Sequence, residues 1–262
     1  MKILDRNVFR SLQTHVPFLQ EFRFDARFFI RQTLRMPHEE DFNALSLLKF
    51  KKDALFIDIG ANRGEAIQSI LIKYPHNCKI IGFEPNPIIF KKLNALYKNT
   101  NTVTLHNTGL GNTAHKINLF IPFYRNWMFD GLASFYHKEA AEWLKSRLWN
   151  YEEKHLTIKE ITCGIKRLDE YNLSPDFIKI DVQGYELEVL KGAQNTIAQS
   201  RPVLLLETPG RTVTSFLGDL GYNFYAYYNG RFNKGKGALN TFCFPAGKYS
   251  QLIDSSKYLN YN

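Results

Sequence analysis

The 262-residue chain has few cysteines: Cys78, Cys163 and Cys243 are odd in number, widely spaced and form no C-x-x-C pair. That excludes a disulfide framework and gives no support to a zinc site. Long apolar runs are missing as well. None approaches the roughly 18 residues a membrane span requires, and Asp5 and Arg10 interrupt what would otherwise be a signal-peptide core. The expected location is therefore cytoplasmic. No internal repeat or low-complexity segment is found. Negative charge is the scarcer sign, with 25 Asp and Glu against 34 Lys and Arg, a net charge of +9. The cationic excess is dispersed, with only short clusters such as Lys49, Lys51, Lys52 and Lys234, Lys236, and so reads as solubility rather than as a nucleic-acid groove.

What remains is an ordinary globular composition, 44% hydrophobic and 23% charged. The length suits one doubly wound α/β domain with additions and is too short for two. The expected division is a helical cap over 1–50, a core over 51–245 and a tail over 246–262.

The core announces itself in Phe56-Ile57-Asp58-Ile59-Gly60-Ala61-Asn62-Arg63-Gly64, followed by Ile80-Ile81-Gly82-Phe83-Glu84-Pro85. An apolar run ending in an acid, a glycine turn opening a helix and a second apolar run ending in an acid describe the first βαβ unit of a nucleotide-binding sheet. Gly60 and Gly64 permit a sharp turn and a close approach of backbone to ligand. Glu84, twenty-four residues after Gly60, falls where a carboxylate accepts hydrogen bonds from two ribose hydroxyls. The ligand is thus of adenosine type. A dinucleotide fingerprint would carry G-x-G-x-x-G, whereas Asn62 replaces the middle glycine here. S-adenosylmethionine has no phosphate, and its charged amino-acid end can use a side chain such as Asn62 and an acid such as Asp58. A turn that merely needs glycine is the structural alternative.

The alternation continues along the chain. A helix from Gly64 to about Tyr74-Pro75, a strand at Lys79–Phe83 and a helix opened by Pro87, with Phe90, Leu93 and Leu96 on one face, come first. Thr102–His106 reads as the third strand, with Lys116–Ile121 an extra strand paired antiparallel beyond it. Asp176–Asp181 and Arg201–Glu207 are buried strands around a helix at Tyr185–Gly192. A helix at Val213–Leu220 comes next, then strands Tyr222–Tyr228 and Leu239–Phe244, separated by the turn pair Asn229-Gly230. A parallel sheet with an antiparallel edge hairpin is the class I methyltransferase arrangement of the Rossmann-like fold.

Five segments in order carry a specific resemblance. They are the Phe56–Gly64 turn, Gly82-Phe83-Glu84-Pro85-Asn86-Pro87, Gly109-Leu110-Gly111-Asn112, Phe177-Ile178-Lys179-Ile180-Asp181-Val182-Gln183-Gly184-Tyr185-Glu186 and Val203–Glu207. Together they resemble the FkbM family of S-adenosylmethionine-dependent methyltransferases over about Leu55 to Tyr228. The resemblance implies methyl transfer to a hydroxyl oxygen, commonly on sugars or polyketide-type products. It implies Asp58, Gly60, Asn62 and Gly64 around the methionine end of the cofactor, Glu84 on the ribose with Asn86 following, Gly109 and Leu110 beside the adenine, and Asp181 facing the reacting centre. The family often has Glu at position 183 and Ala at position 185, where this chain has Gln and Tyr. No second acid-Asn pair follows Asp181 in the spacing of metal-dependent O-methyltransferases, so no metal is expected.

Methyl transfer from a sulfonium is an in-line displacement helped chiefly by positioning. A base for the hydroxyl proton adds roughly 10²–10⁴-fold. Asp181 and Glu207, at carboxyl ends of central strands, are the candidate catalytic acids. The alternatives are that Asp181 binds the cofactor's amino group or caps a helix, and that Glu207 pairs with Arg211. His137, in a loop, is a further candidate base.

The acceptor is expected outside the shared core. Trp127, Trp143 and Trp149 lie in an aromatic insert, 122–157, in which His137 to Lys154 reads as an amphipathic lid helix with Ala141, Leu144 and Leu148 on one face. Such a lid suits a small-molecule or glycan hydroxyl acceptor, with Trp127 the expected contact and Trp143 and Trp149 packed. From Pro17 to Arg35, Phe18, Phe22, Ala26, Phe29, Ile30 and Leu34 form an apolar stripe beside Arg23, Arg27, Arg31 and Arg35. The expectation is a cap helix on the core with its arginines in water or salt bridges; peripheral contact with an anionic membrane is the alternative. An RNA methyltransferase and a non-enzymatic protein retaining the cofactor fold stay open as further alternatives. No appended RNA-binding module or N-P-P-Y-type tetrapeptide accompanies the core.

Overall fold

The structure, a computed structural model, describes residues 3–74 and 78–253, with side chains described from residue 7. The expected tail beyond 253 and the Pro75 end of the first core helix lie outside the described residues.

The first βαβ unit forms as its residues dictate. Strand β1 (Ala54–Ile59) is buried on both faces, as its continuous apolar run requires, and its parallel neighbour β2 (Cys78–Phe83) pairs with it from Ala54↔Cys78 to Ile59↔Phe83. Strand β3 (Val103–His106) continues the sheet beyond β2. On the other side of β1 come β8 (Phe177–Ile180) and β9 (Val203–Glu207), both parallel. Beyond β9 the sheet turns antiparallel with β12 (Asn240–Pro245), β10 (Tyr222–Tyr228) and β11 (Arg231–Lys234). The full order is β11-β10-β12-β9-β8-β1-β2-β3. Chain order reverses between β1 and β8, and that switch point opens a crevice at the carboxyl ends of the strands.

The α/β class and the Rossmann-like methyltransferase sheet are as expected, but the far edge differs in detail. Asn229-Gly230 does make a hairpin, with both residues left-handed, φ 51° and 72°. Its second arm is β11, which was not anticipated, while the strand at Leu239–Phe244 slots between β10 and β9. The helix opened by Pro87 is α4 (Pro87–Tyr97), and Asn86 caps it by accepting the backbone N–H groups of Ile88 and Ile89. Its inner face is Ile89, Leu93 and Tyr97, and Leu96 is 41% exposed, so the expected Phe90-Leu93-Leu96 face was one step off.

The larger departure is a second sheet. The strand expected at Lys116–Ile121 runs from His115 to Tyr124 (β5) and pairs not with β3 but with β7 (Leu156–Lys166), with β4 (Gly109–Leu110) and β6 (Trp127–Met128) at its flanks. Beyond a short first helix the expected lid is turns and a brief 3-10 segment, with no strand between 137 and 154. Its helix, α5, covers only His137–Glu142, and the buried side chains are Ala140, Leu144 and Leu148. The chain beyond α5 is held by the first helix, α1 (Ile3–Gln13). Asn7, Arg10 and Ser11 donate to the carbonyls of Ser146, Arg147 and Trp149, taking acceptors that a continuing helix would use.

Helix α2 (Leu19–Leu34) does cap the core, but with the opposite face from the one expected. It lies over the glycine turn and the adjoining helix α3 (Glu65–Lys73), a surface carrying Arg63, Glu65 and Gln68. Polar partners share the contact with Phe28, which packs on the core edge-on to Tyr97. Glu21 takes both Nη atoms of Arg63 at 3.1 Å, Arg31 reaches Glu65 at 2.5 Å, and Gln68 donates to the Phe28 carbonyl. The phenylalanines of the apolar stripe face solvent.

Two glycines make opposite predictions. Gly60, at φ 81°, has no room for a side chain, since a Cβ there would stand 1.9 Å from the Asp181 carbonyl oxygen. Gly218, in helix α8 (Arg211–Asp219), meets nothing within 4 Å. In urea unfolding, Gly60→Ala should cost about 3 kcal/mol or more, and Gly218→Ala should add roughly 0.5–1 kcal/mol. Equal effects would contradict this account of the turn.

Candidate functional site

Most of the residues expected around a nucleoside ligand converge on one cavity at the switch point. Gly60, Asn62, Glu84, Asn86, Gly109, Leu110 and Asp181 all line it, and Asp130 to Phe135 of the second sheet's connecting segment close it. Two stand outside. Asp58 is completely buried behind the crevice, and Gly64 is required by packing, since a Cβ there would approach Tyr97 to 2.5 Å and Leu93 to 2.8 Å.

Glu84 sits at the end of β2 with each carboxylate oxygen accepting one backbone N–H at 2.7 Å, from Asn62 and from Asn86. Burial pushes its carboxyl up to about 7 despite those two hydrogen bonds. Each oxygen keeps a lone pair for a further donor. Asn62 is itself left-handed, φ 44°, and its buried Oδ1 has no hydrogen-bond partner among the described residues. An unpaired buried acceptor costs about 1–3 kcal/mol, so its position in the lining marks a place where a ligand donor fits. The residues suit an adenosine-type molecule with a charged amino-acid end. The cavity itself encloses about 80 Å³, well below the roughly 300 Å³ at which ligand pockets begin.

Behind the crevice lies an ion cluster in which only the carboxylates were anticipated. Lys179, in the middle of β8, is the register partner of Asp58 on β1, and its Nζ stands 3.6 Å from Asp58 and 3.2 Å from Asp181. Burial would lower the ammonium's pKa, but the two carboxylates outweigh it and hold Lys179 charged. A lysine in an otherwise apolar buried strand, between two strand-end acids, was the available signal.

Asp181 and Glu207 come together through Gln183, whose Nε2 donates to Asp181 at 2.9 Å and to Glu207 at 3.3 Å. Burial alone would raise Asp181, yet Lys179 and hydrogen bonds from Glu207 and Gln183 hold it below the usual range. Burial and the Asp181 charge push Glu207 up to about 8. Near neutral pH the pair thus holds one proton, on Glu207. No ion pair joins Glu207 to Arg211 among the described residues. Gln183 and Thr208, each following a strand-end acid, are left-handed at φ 49° and 40°. Such strain, acute for β-branched Thr208, collects at functional loops.

A second cavity of about 590 Å³ shares Gly131 and Gln183 with the lining of the first. Glu207 lines it, as do Trp143 and Arg147, with the guanidinium 4.7 Å above the indole. Of the three tryptophans, then, it is Trp143 that faces this space. Trp127 lies under Arg23 and lines two further cavities beside Gly131, and Trp149, expected to be packed, is 57% exposed. His137 is exposed, set edge-on to Phe120, and lines neither cavity. Tyr185 packs edge-on against Phe135, fastening the closing segment. Among the described residues no group of three His, Cys, Asp or Glu is disposed to hold a metal ion, and all three cysteines are buried and free.

Comparison with known proteins agrees with this geometry. Residues 58–224 match the family model described as the methyltransferase FkbM domain. Methyltransferase 1 of Beauveria bassiana (strain ARSEF 2860) is 29% identical over 171 residues, which cover 59% of this chain and 65% of that protein. The crystal structure of methyltransferase FkbM from Methylobacillus flagellatus KT superimposes with a TM-score of 0.51 at 17% identity, covering 79% of this chain and 48% of that one. The chain thus spans somewhat under two thirds of the first relative's length and about half of the second's.

Removing the buried cation should expose the cost of its partners. Lys179→Met should lose about 3–5 kcal/mol in chemical unfolding at pH 8. The loss should shrink at pH 5, because without the cation Asp58 and Asp181 titrate upward and protonate as pH falls. Asp58→Asn in the same chain should recover part of the loss. A deficit independent of pH would contradict the charge account.

Proposed function

The chain belongs to the methyltransferase FkbM family, and on that premise we propose that it binds S-adenosylmethionine in the smaller cavity and methylates a hydroxyl oxygen of an acceptor held in the larger one. The observation that carries the reading is that Gln183 lines both cavities and hydrogen-bonds one carboxylate in each, Asp181 in the smaller and Glu207 in the larger. S-adenosylmethionine, when bound, supplies a methyl group on a positively charged sulfur. Glu84 receives the two ribose hydroxyls, Leu110 and Ile89 offer apolar surface to the adenine, and Asn62 and Asp181 receive the donors of the amino-acid end.

The acceptor hydroxyl lies against Glu207. The pair can take its proton only after losing its own, so Glu207 is the base and Asp181, kept ionised by Lys179, sustains the raised basicity of its neighbour. A small or glycan-type acceptor, a sugar above all, suits the aromatic and polar lining offered by Trp143, Arg147 and Thr212. Excluding water then depends on the Asp130–Phe135 segment, in which Ser134 donates to Glu139 at 2.8 Å with its hydroxyl 3.4 Å from the Gln183 carbonyl.

Isothermal titration calorimetry with S-adenosylmethionine should show Glu84→Ala weakening binding by about tenfold or more, since charge-assisted hydrogen bonds contribute about 1.5–3 kcal/mol. An unchanged affinity removes the ribose assignment. In a screen of hydroxyl acceptors read by S-adenosylhomocysteine release, turnover should rise with pH through about 8. Glu207→Gln should abolish that rise and slow turnover by roughly 10²–10⁴-fold. Turnover confined to RNA, or a rise unaltered in the variant, would overturn the proposal.

A further inference from the structure

Thirteen large hydrophobic residues are exposed among the described residues, and eight of them fall between Phe9 and Met36. They concentrate on the outer face of α2, where Phe18 is 78% exposed, Phe22 and Phe29 70% each, Leu34 61% and Ile30 52%. A 16-residue helix is about 24 Å long, so these side chains form one strip and not scattered surface, interrupted by the single exposed carboxylate of Asp25 between Phe22 and Phe29. Nothing in its own helix forces it outward. The inner face is occupied by Phe28 against Tyr97, by Phe24 under the Arg63 guanidinium and by the polar contacts to Arg63, Glu65 and Gln68, and the strip is what those contacts leave in water.

We propose that this strip docks on an anionic lipid bilayer, with α2 lying in the plane of the interface. Charge complementarity selects that occupant. Arg23 and Arg27 run along one edge of the strip and Arg35 closes its carboxyl end, and among the described residues none of the three has a carboxylate partner. Arg23 stacks on Phe9 and Trp127, which leaves Arg27 and Arg35 as the cations at the edge of the strip. Anionic headgroups supply their partners while the acyl boundary takes the phenylalanines to a depth of about 5–10 Å, the geometry of an interfacial amphipathic helix. A second copy of the chain meets the strip less well, because a two-fold contact lays the cationic edge of each copy against the same patch. Spanning is not involved, since no helix among the described residues is long and apolar enough to cross a membrane.

The test is flotation of the full chain with vesicles of phosphatidylserine in phosphatidylcholine, compared with phosphatidylcholine alone, at about 0.1 M and about 0.5 M salt. The chain should partition to the anionic vesicles at least about tenfold better, and less so at high salt. Phe22→Ser with Phe29→Ser should lower partitioning by roughly 100-fold, about tenfold for each ring withdrawn from the boundary. These side chains are largely in water, so the melting temperature should stay unchanged. Arg27→Glu with Arg35→Glu should remove the preference for anionic vesicles. Failure of the unaltered chain to float, or equal flotation of the phenylalanine variant, overturns the proposal. So does a dimer in sedimentation velocity that the phenylalanine variant splits while vesicle binding is absent, which would assign the strip to a second copy.

Discussion

Lys179 is a cation held away from water between two carboxylates, and the carboxyl edge of the central sheet is organised around it. Its position on β8 opposite Asp58 on β1 is set by strand register, so the charge lies at the switch point by construction. Without it Asp58, wholly buried and already pushed up by that burial, would protonate, and Asp181 would lose the neighbour that keeps it ionised. With it, Asp181 remains ionised, and the charge on Asp181 in turn raises Glu207. One buried lysine thereby separates the proton affinities of two neighbouring acids, which is how a site obtains an ionised group and a proton acceptor from the same chemistry.

The backbone around this cluster is shaped to the same end. Asn62, Gln183 and Thr208 follow the carboxyl ends of β1, β8 and β9, and all three are left-handed without being glycine. The strain at Asn62 and Thr208 is held by neighbours: the Glu84 carboxylate on the Asn62 amide and the Leu239 carbonyl on the Thr208 amide. The closing segment belongs to the second sheet, so access to the smaller cavity is coupled to a different set of strands from those that carry its polar groups.

The central βαβ unit, the buried strands β8 and β9 and the residues lining the smaller cavity were legible because each is written in local chemistry: apolar runs, a glycine turn and acids at strand ends. The second sheet was not. In β7 the alternation of Leu156, Ile158, Ile161, Cys163 and Ile165 is broken at Lys159-Glu160, and its partner β5 is distant in sequence. The lid helix failed because its carbonyls are claimed by α1, a contact across more than 130 residues. Periodicity identified the stripe on α2 correctly and could not say which side it faces, since that depends on the polarity of the surface beneath. Lys179 was visible in a quoted motif, yet its role appears only when register sets it beside Asp58.

The central claim is that Gln183, between Asp181 and Glu207, lines both the nucleoside and the acceptor space. A crystal structure of the chain with S-adenosylhomocysteine tests it most directly. The account predicts the ribose hydroxyls on Glu84, the adenine against Leu110, and the sulfur directed toward the space beside Gln183 and Glu207. A nucleoside seated elsewhere, or a sulfur facing away from Gln183, would contradict it.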